Sequence, residues 1–230
     1  MDRQGNTYTF IYASVLVVVV AALLAFVSQT LKPIQQKNIE VAKKIDILKS
    51  VNVVSTPKDA IEKYEKYIGK NSFVLNVDGQ KVDGDAFTVD LEKELKKDPK
   101  ERQYPIFECD IDGSTKYIIP VRGKGLWGPI WGYISLNDDR KTIYGATFGH
   151  KGETPGLGAE IAKPEFQKQF AGKTIFDNNG KFTSVLVEKS TDTSKDPHAV
   201  DAISGGTITS KGVQAMLQDC LSGYEKFLKE

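Results

Sequence analysis

The stretch KYIIPVRGKGLWGPIWGYISL, running from Lys116 to Leu136, decides between two architectures. Its centre, Gly123-Lys124-Gly125-Leu126-Trp127-Gly128, has the GxGxxG spacing of a dinucleotide-binding turn. Such a turn works only between a strand and a helix, with an acidic residue about twenty positions further on. Here Pro129 follows at once, and residues 130–136 are rich in β-branched and aromatic side chains, so a second strand follows the turn. The glycines therefore mark a sharp turn or a close backbone approach between strands at 116–121 and 130–136, and a nicotinamide-binding fold is set aside.

Working outward, residues 141–148 give a further strand after Asp138-Asp139-Arg140, and Asp78-Gly79, Asp83-Gly84, Asp112-Gly113 and Asn179-Gly180 punctuate runs rich in Val, Ile, Phe and Tyr. Residues 164–170 form a short helix, and the polar run 190–197 is a surface loop. The last element is an amphipathic helix beginning near Thr207, because Val213, Leu217, Cys220, Leu221, Tyr224 and Leu228 share one apolar stripe. Towards the N-terminus, Thr56-Pro57 reads as a helix cap with proline in the first turn, the helix stopping at Gly69, and residues 33–48 form a stalk helix.

From Phe10 to Val27 the chain reads FIYASVLVVVVAALLAFV, 18 residues without a charge. At about 1.5 Å per residue this matches a hydrocarbon core of roughly 30 Å and exceeds the ~7–15-residue apolar run of a cleaved signal. The fold class is thus α+β: one N-terminal transmembrane helix, then a single soluble mixed α/β domain closed by an amphipathic helix. The expected divisions are an anchor at 1–31, a stalk and helical region at 32–70, and the soluble domain at 71–230. Arg3 against Lys32, Lys37, Lys43 and Lys44 would by itself put the soluble side in the cytoplasm, although long domains cross regardless of such counts.

With 31 basic against 30 acidic residues, no bulk field favours nucleic acid as a partner. Cys109 and Cys220 stand far apart with no second cysteine or histidine at ligand spacing, so no metal site is expected and redox chemistry would need an organic cofactor. His150 and His198 lack a partner pattern and receive no role.

Two segments remain as candidate sites. Gly152-Glu153-Thr154-Pro155-Gly156-Leu157-Gly158 is a loop whose amides could face a phosphate or a ring edge, without the Gly-Lys-Ser/Thr ending that ATP or GTP requires. Asp201-Ala202-Ile203-Ser204-Gly205-Gly206-Thr207-Ile208-Thr209-Ser210 runs into the final helix. One account makes Thr207 the helix cap. The other places a phosphate there, where free N–H groups and the positive end of the helix dipole favour an anion and Lys211 can assist.

Taken together, Leu31-Lys32-Pro33-Ile34-Gln35-Gln36-Lys37-Asn38 after the anchor, Gly125-Leu126-Trp127 with Gly132-Tyr133, residues 152–161 and Ser204 to Ser210 make the chain resemble a known family. It is similar to the NqrC component of sodium-translocating NADH:quinone oxidoreductases, whose FMN-binding domain is shared with the RnfG component of the Rnf complex. The resemblance covers nearly the whole chain. It implies an electron-relay subunit of a membrane complex, with FMN joined through its phosphate to the threonine of an Asp-x-x-Ser-Gly-Ala-Thr signal by a flavin transferase that uses FAD and a divalent metal. That signal falls on Asp201, Ser204, Gly205, Gly206 and Thr207, with Gly206 where the family usually has alanine. Leu126, Trp127, Glu153, Thr154, Gly156, Leu157 and Gly158 are the implied contacts of the ring and its edge, and Ser204, Gly205, Gly206 and Lys211 those near the phosphate. The resemblance also implies a cell inner membrane location with the N-terminus cytoplasmic and the flavin domain periplasmic, overriding the lysine count, and partners among the other components of the complex. RnfG is the nearest alternative; a membrane-anchored binding module with Thr207 unmodified is the alternative of another class.

Overall fold

A computed structural model describes residues 6–189 and 193–230; Arg3 of the charge count and residues 190–192 of the expected loop lie outside the described residues. The chain divides into two compact units, residues 1–43 and 44–230. The first is helical, and its long apolar side chains are exposed, from Phe10 (73%) to Phe26 (71%). This helix, α1 (Asn6–Ser50), is long and apolar enough to cross a membrane. It continues unbroken through Pro33, so the expected anchor and stalk helices are one element, whose final residues belong to the second unit.

In the second unit, α2 (Ala60–Tyr67) leads to β1 (Ser72–Leu75), β2 (Lys81–Val82), α3 (Leu91–Glu94), β3 (Tyr104–Ile111), β4 (Ser114–Lys124), β5 (Pro129–Leu136) and β6 (Ile143–His150). Next come α4 (Pro164–Gln167), β7 (Leu186–Glu188), β8 (Ala199–Asp201), α5 (Thr207–Ser222) and α6 (Glu225–Leu228). Six strands form one antiparallel sheet in the order β2-β1-β3-β4-β5-β6, and β7 and β8 form a separate parallel pair.

Successive residues of a strand face opposite sides, and here both sides are covered. Leu75, Ile106, Ile119 and Ile134 join a core with Val213, Leu217, Leu221 and Phe227, whereas their neighbours Val74, Phe107, Ile118 and Tyr133 pack with Ile47, Leu48, Tyr64 and Ile68. This is why β3 to β5 read as nearly continuous apolar runs rather than strict alternations. The end of α1 is seated closely: the Ser135 hydroxyl donates to the Ser50 carbonyl at 2.5 Å, and a Cβ on Gly145 would stand 2.4 Å from that same oxygen.

Three differences from expectation have local causes. The helix expected to start at Thr56-Pro57 begins at Ala60, because the Thr56 N–H and hydroxyl both donate to the Asp59 carboxylate (2.6 and 2.8 Å) and close a turn first. Lys63 and these Thr56 bonds hold the Asp59 carboxyl below the usual carboxylate range. The expected strand at 141–148 runs two residues later, the Asp139 carboxylate taking the N–H groups of Lys141 and Thr142 into a turn. In the described part of the 190–197 loop, Thr193 is 5% exposed, its carbonyl accepting from the Lys173 ammonium (2.8 Å).

Both cysteines are buried and unpaired. Burial pushes the Cys109 thiol up to about 12 and the Cys220 thiol up to about 11, the latter accepting from the Arg122 N–H and donating to its carbonyl. Because the thiolate is the reactive form, the native protein should take up no iodoacetamide at pH 8 and two equivalents in denaturant. Intact mass before and after unfolding checks this, and alkylation of the native chain would contradict the burial of either thiol.

Candidate functional site

Three segments meet at the N-terminal end of α5. The first is the hairpin between β4 and β5, closed by the Gly125 N–H donating to the Gly128 carbonyl (2.8 Å) and by the Lys124–Pro129 pairing, as expected of a turn between strands. It lifts Leu126 (47% exposed) and Trp127 (69%) away from the sheet. The second is the glycine-rich loop after β6, which turns into a 3-10 helix at Gly158–Ala162. Thr154 organises it through its carbonyl, which accepts from the N–H groups of Leu157 and Ala159, while the Gly156 N–H donates to the Glu160 carboxylate. The third is the turn from β8 into α5. There the Gly206 N–H donates to the Ile203 carbonyl, and the buried Ser210 hydroxyl accepts from the Ile203 N–H (3.1 Å).

The helix cap is Gly206, not Thr207, and no side chain caps the helix. This overturns the account of Thr207 as a cap: as the first helical residue, its side chain lies past the position from which a hydroxyl reaches the N2 and N3 amides. Thr207 is exposed, and among the described residues its hydroxyl has no hydrogen-bond partner. With no side-chain cap, the N–H groups of the first turn are left for an outside acceptor, at the end where the helix dipole favours negative charge. Lys211, four residues on and so on the same face, is exposed, and its ammonium bonds the Gln214 side chain (2.9 Å).

Of the residues picked from sequence, Leu126, Trp127, Thr154, Gly156, Leu157, Ser204, Gly205, Thr207 and Lys211 are exposed, while Glu153, Gly158 and Gly206 are buried. Leu157 joins the loop to the turn: a Cβ on Gly205, whose φ is +72°, would meet its Cδ2 at 2.6 Å. Asp201 faces away from the helix start, its carboxylate accepting from the Thr193 N–H and its own N–H donating to Gln169. The Glu153 carboxylate points inward, accepting from the Trp127 N–H (2.9 Å) and the Thr209 hydroxyl (2.6 Å). His150, to which no role was given, accepts the Glu153 N–H at its Nδ1 (3.1 Å).

Residues 125–222 match the FMN-binding domain family. The NqrC protein of the Na(+)-translocating NADH-quinone reductase of Vibrio vulnificus (strain YJ016) is 33% identical over 198 residues, 78% of this chain and 76% of that protein. The crystal structure of its Parabacteroides distasonis counterpart superposes with a TM-score of 0.79 at 50% identity, covering 87% of this chain and 98% of that one. The chain belongs to the NqrC family of Na+-translocating NADH-quinone reductases. A further member, from Yersinia pestis, is 41% identical over 118 residues, half of this chain and 44% of that protein; the chain thus spans under half the length of that relative.

In this NqrC family member, sequence inspection missed Thr209, Ser210 and the exposed Ile208. Helical phase was the available signal: at about 100° per residue, Thr209 lies roughly opposite Thr207, so an outward Thr207 requires an inward Thr209. At Gly206, a Cβ would stand 2.9 Å from Ile203 Cγ2 and 3.2 Å from the Leu157 carbonyl carbon. Gly206→Ala should therefore destabilise this chain by about 1 kcal/mol, lowering Tm by roughly 2–4 °C. A thermal scan of the variant decides it; an unchanged or higher Tm would show that Ile203 gives way freely.

Proposed function

We propose that this chain is the covalently flavinylated electron-relay subunit of a membrane NADH:quinone oxidoreductase that couples electron transfer to Na+ translocation, with FMN joined through its phosphate to Thr207. The observation that carries this reading is the exposed Thr207 hydroxyl, without a hydrogen-bond partner among the described residues, at an uncapped helix start, with the exposed apolar side chains Leu126, Trp127, Leu157 and Ile208 on the converging segments.

The residues present fit the group. First-turn amides and the Lys211 ammonium suit a phosphodiester, and the apolar side chains suit the faces of a planar ring while keeping water from it. In the attachment step the Thr207 oxygen bonds to the FMN phosphorus of FAD, the P–O bond of the pyrophosphate breaks, AMP leaves, and the hydroxyl proton passes to solvent. FAD and a divalent metal are supplied by the flavin transferase. Bound FMN supplies reversible one- and two-electron transfer; the protein supplies its position, tether and surroundings.

The partners are the other components of the complex, with which electrons must be exchanged, and transiently the transferase. Residues 1–31 anchor the chain in the cell inner membrane with the N-terminus cytoplasmic, residues 32–70 link, and residues 71–230 hold the flavin on the periplasmic side.

Expression with a flavin transferase, followed by intact mass and in-gel fluorescence of the denatured chain, tests the attachment. The expected result is a fluorescent band and an added FMN phosphoester, both absent in Thr207→Ala. A wild-type chain of unmodified mass, or fluorescence that survives in Thr207→Ala, would sink the assignment.

A further inference from the structure

Glu153 is a carboxylate only 4% exposed, and among the described residues no ion pair to it occurs. An unsatisfied buried carboxylate is costly, and an apolar residue of similar volume generally costs less. The chain nevertheless makes special room for this one. A Cβ on Gly125 would stand 2.5 Å from Oε1, and one on Gly158 would stand 2.4 Å from both Oε2 and Thr209 Oγ1. Two glycines on separate segments thus keep the space into which the carboxylate fits.

Its bonds run to all the segments that meet at the site. Oε1 takes the Trp127 N–H of the hairpin, Oε2 takes the Thr209 hydroxyl in the first turn of α5, and its own N–H donates to His150 at the end of β6. Both oxygens are therefore engaged by protein donors in the interior. Thr209 is 1% exposed and two residues beyond Thr207. At about 100° per residue, holding Thr209 inward turns Thr207 outward. The negative charge also sits at the helix end that favours it.

We propose that Glu153 is a positioning residue: through Thr209 it sets the rotational phase of the first turn of α5 and so presents the Thr207 hydroxyl for modification, without touching the flavin. This rests on the assignment of Thr207 as the attachment point.

Two pairs of variants in the full chain, expressed with the transferase, test it. Glu153→Ala and Thr209→Val remove the link and should lower the modified fraction, read by intact mass at a fixed time, at least tenfold, with faster hydrogen exchange at Ser210, whose N–H donates to the Gly206 carbonyl and closes the first turn. Glu153→Gln and Thr209→Ser keep it, since a carboxamide can accept from Trp127 and donate to Thr209, and should stay within twofold of wild type. A Tm measurement confirms that each variant is folded. Thr209→Val, being isosteric, carries the test if Glu153→Ala unfolds. Equal modification in Thr209→Val and wild type, or a loss in Glu153→Gln as large as in Glu153→Ala, would overturn the proposal. If the wild type itself carried no flavin, the attachment assignment would fail instead; unchanged exchange at Ser210 in Thr209→Val would then separately overturn the positioning role.

Discussion

The structure depends on burying both faces of the four central strands. An antiparallel sheet commonly leaves one face to water, but here each strand sends alternate residues into two cores, one closed by α5 and α6 and the other by α2 and the end of α1. Fully burying an Ile or Phe stabilises by roughly 1.5–3 kcal/mol, so each covering helix is held by several such side chains at once. Placing α5 against β4 then fixes everything at its N-terminal end. Gly212 allows the approach: a Cβ there would stand 2.4 Å from the Lys124 carbonyl.

The site is thus assembled by the sheet rather than by its own loops. The hairpin tip, the end of β6 and the start of α5 lie together because β4, β5 and β6 are consecutive neighbours and α5 packs on β4 and on the 3-10 helix that follows β6. A buried carboxylate then joins the three segments locally. Core packing sets the approximate placement, and a few short hydrogen bonds set the orientation that attachment chemistry would need.

Much of this was legible in the sequence. Proline after the GxGxxG glycines was enough to turn a nucleotide-binding motif into a β-hairpin, and the stripe from Val213 to Leu221 marked the face of α5 that the sheet buries, although the expected single helix stops at Ser222 and Leu228 lies in the separate α6. Helix starts were less legible, because short-range carboxylate bonds such as those of Asp59 compete with capping and move a start by several residues. The inward role of Glu153 was not legible at all: Glu153 and Thr209 are 56 residues apart, and their bond exists only once the sheet has formed. The sequence places Glu153 in a glycine loop next to exposed apolar residues, and carries no sign of its bonds to the Trp127 N–H and the Thr209 hydroxyl.

The hairpin tip has an optical consequence. The chain contains two tryptophans; Trp127 stands 69% exposed near the start of α5, and the indole of Trp131, in β5, rests against Gly149. Indole emission overlaps the near-ultraviolet absorption of an oxidised flavin, so a flavin held at Thr207 would drain the excited state of Trp127. The protein thus carries its own energy-transfer donor, and its ultraviolet emission should dim as the site is loaded, without any added label.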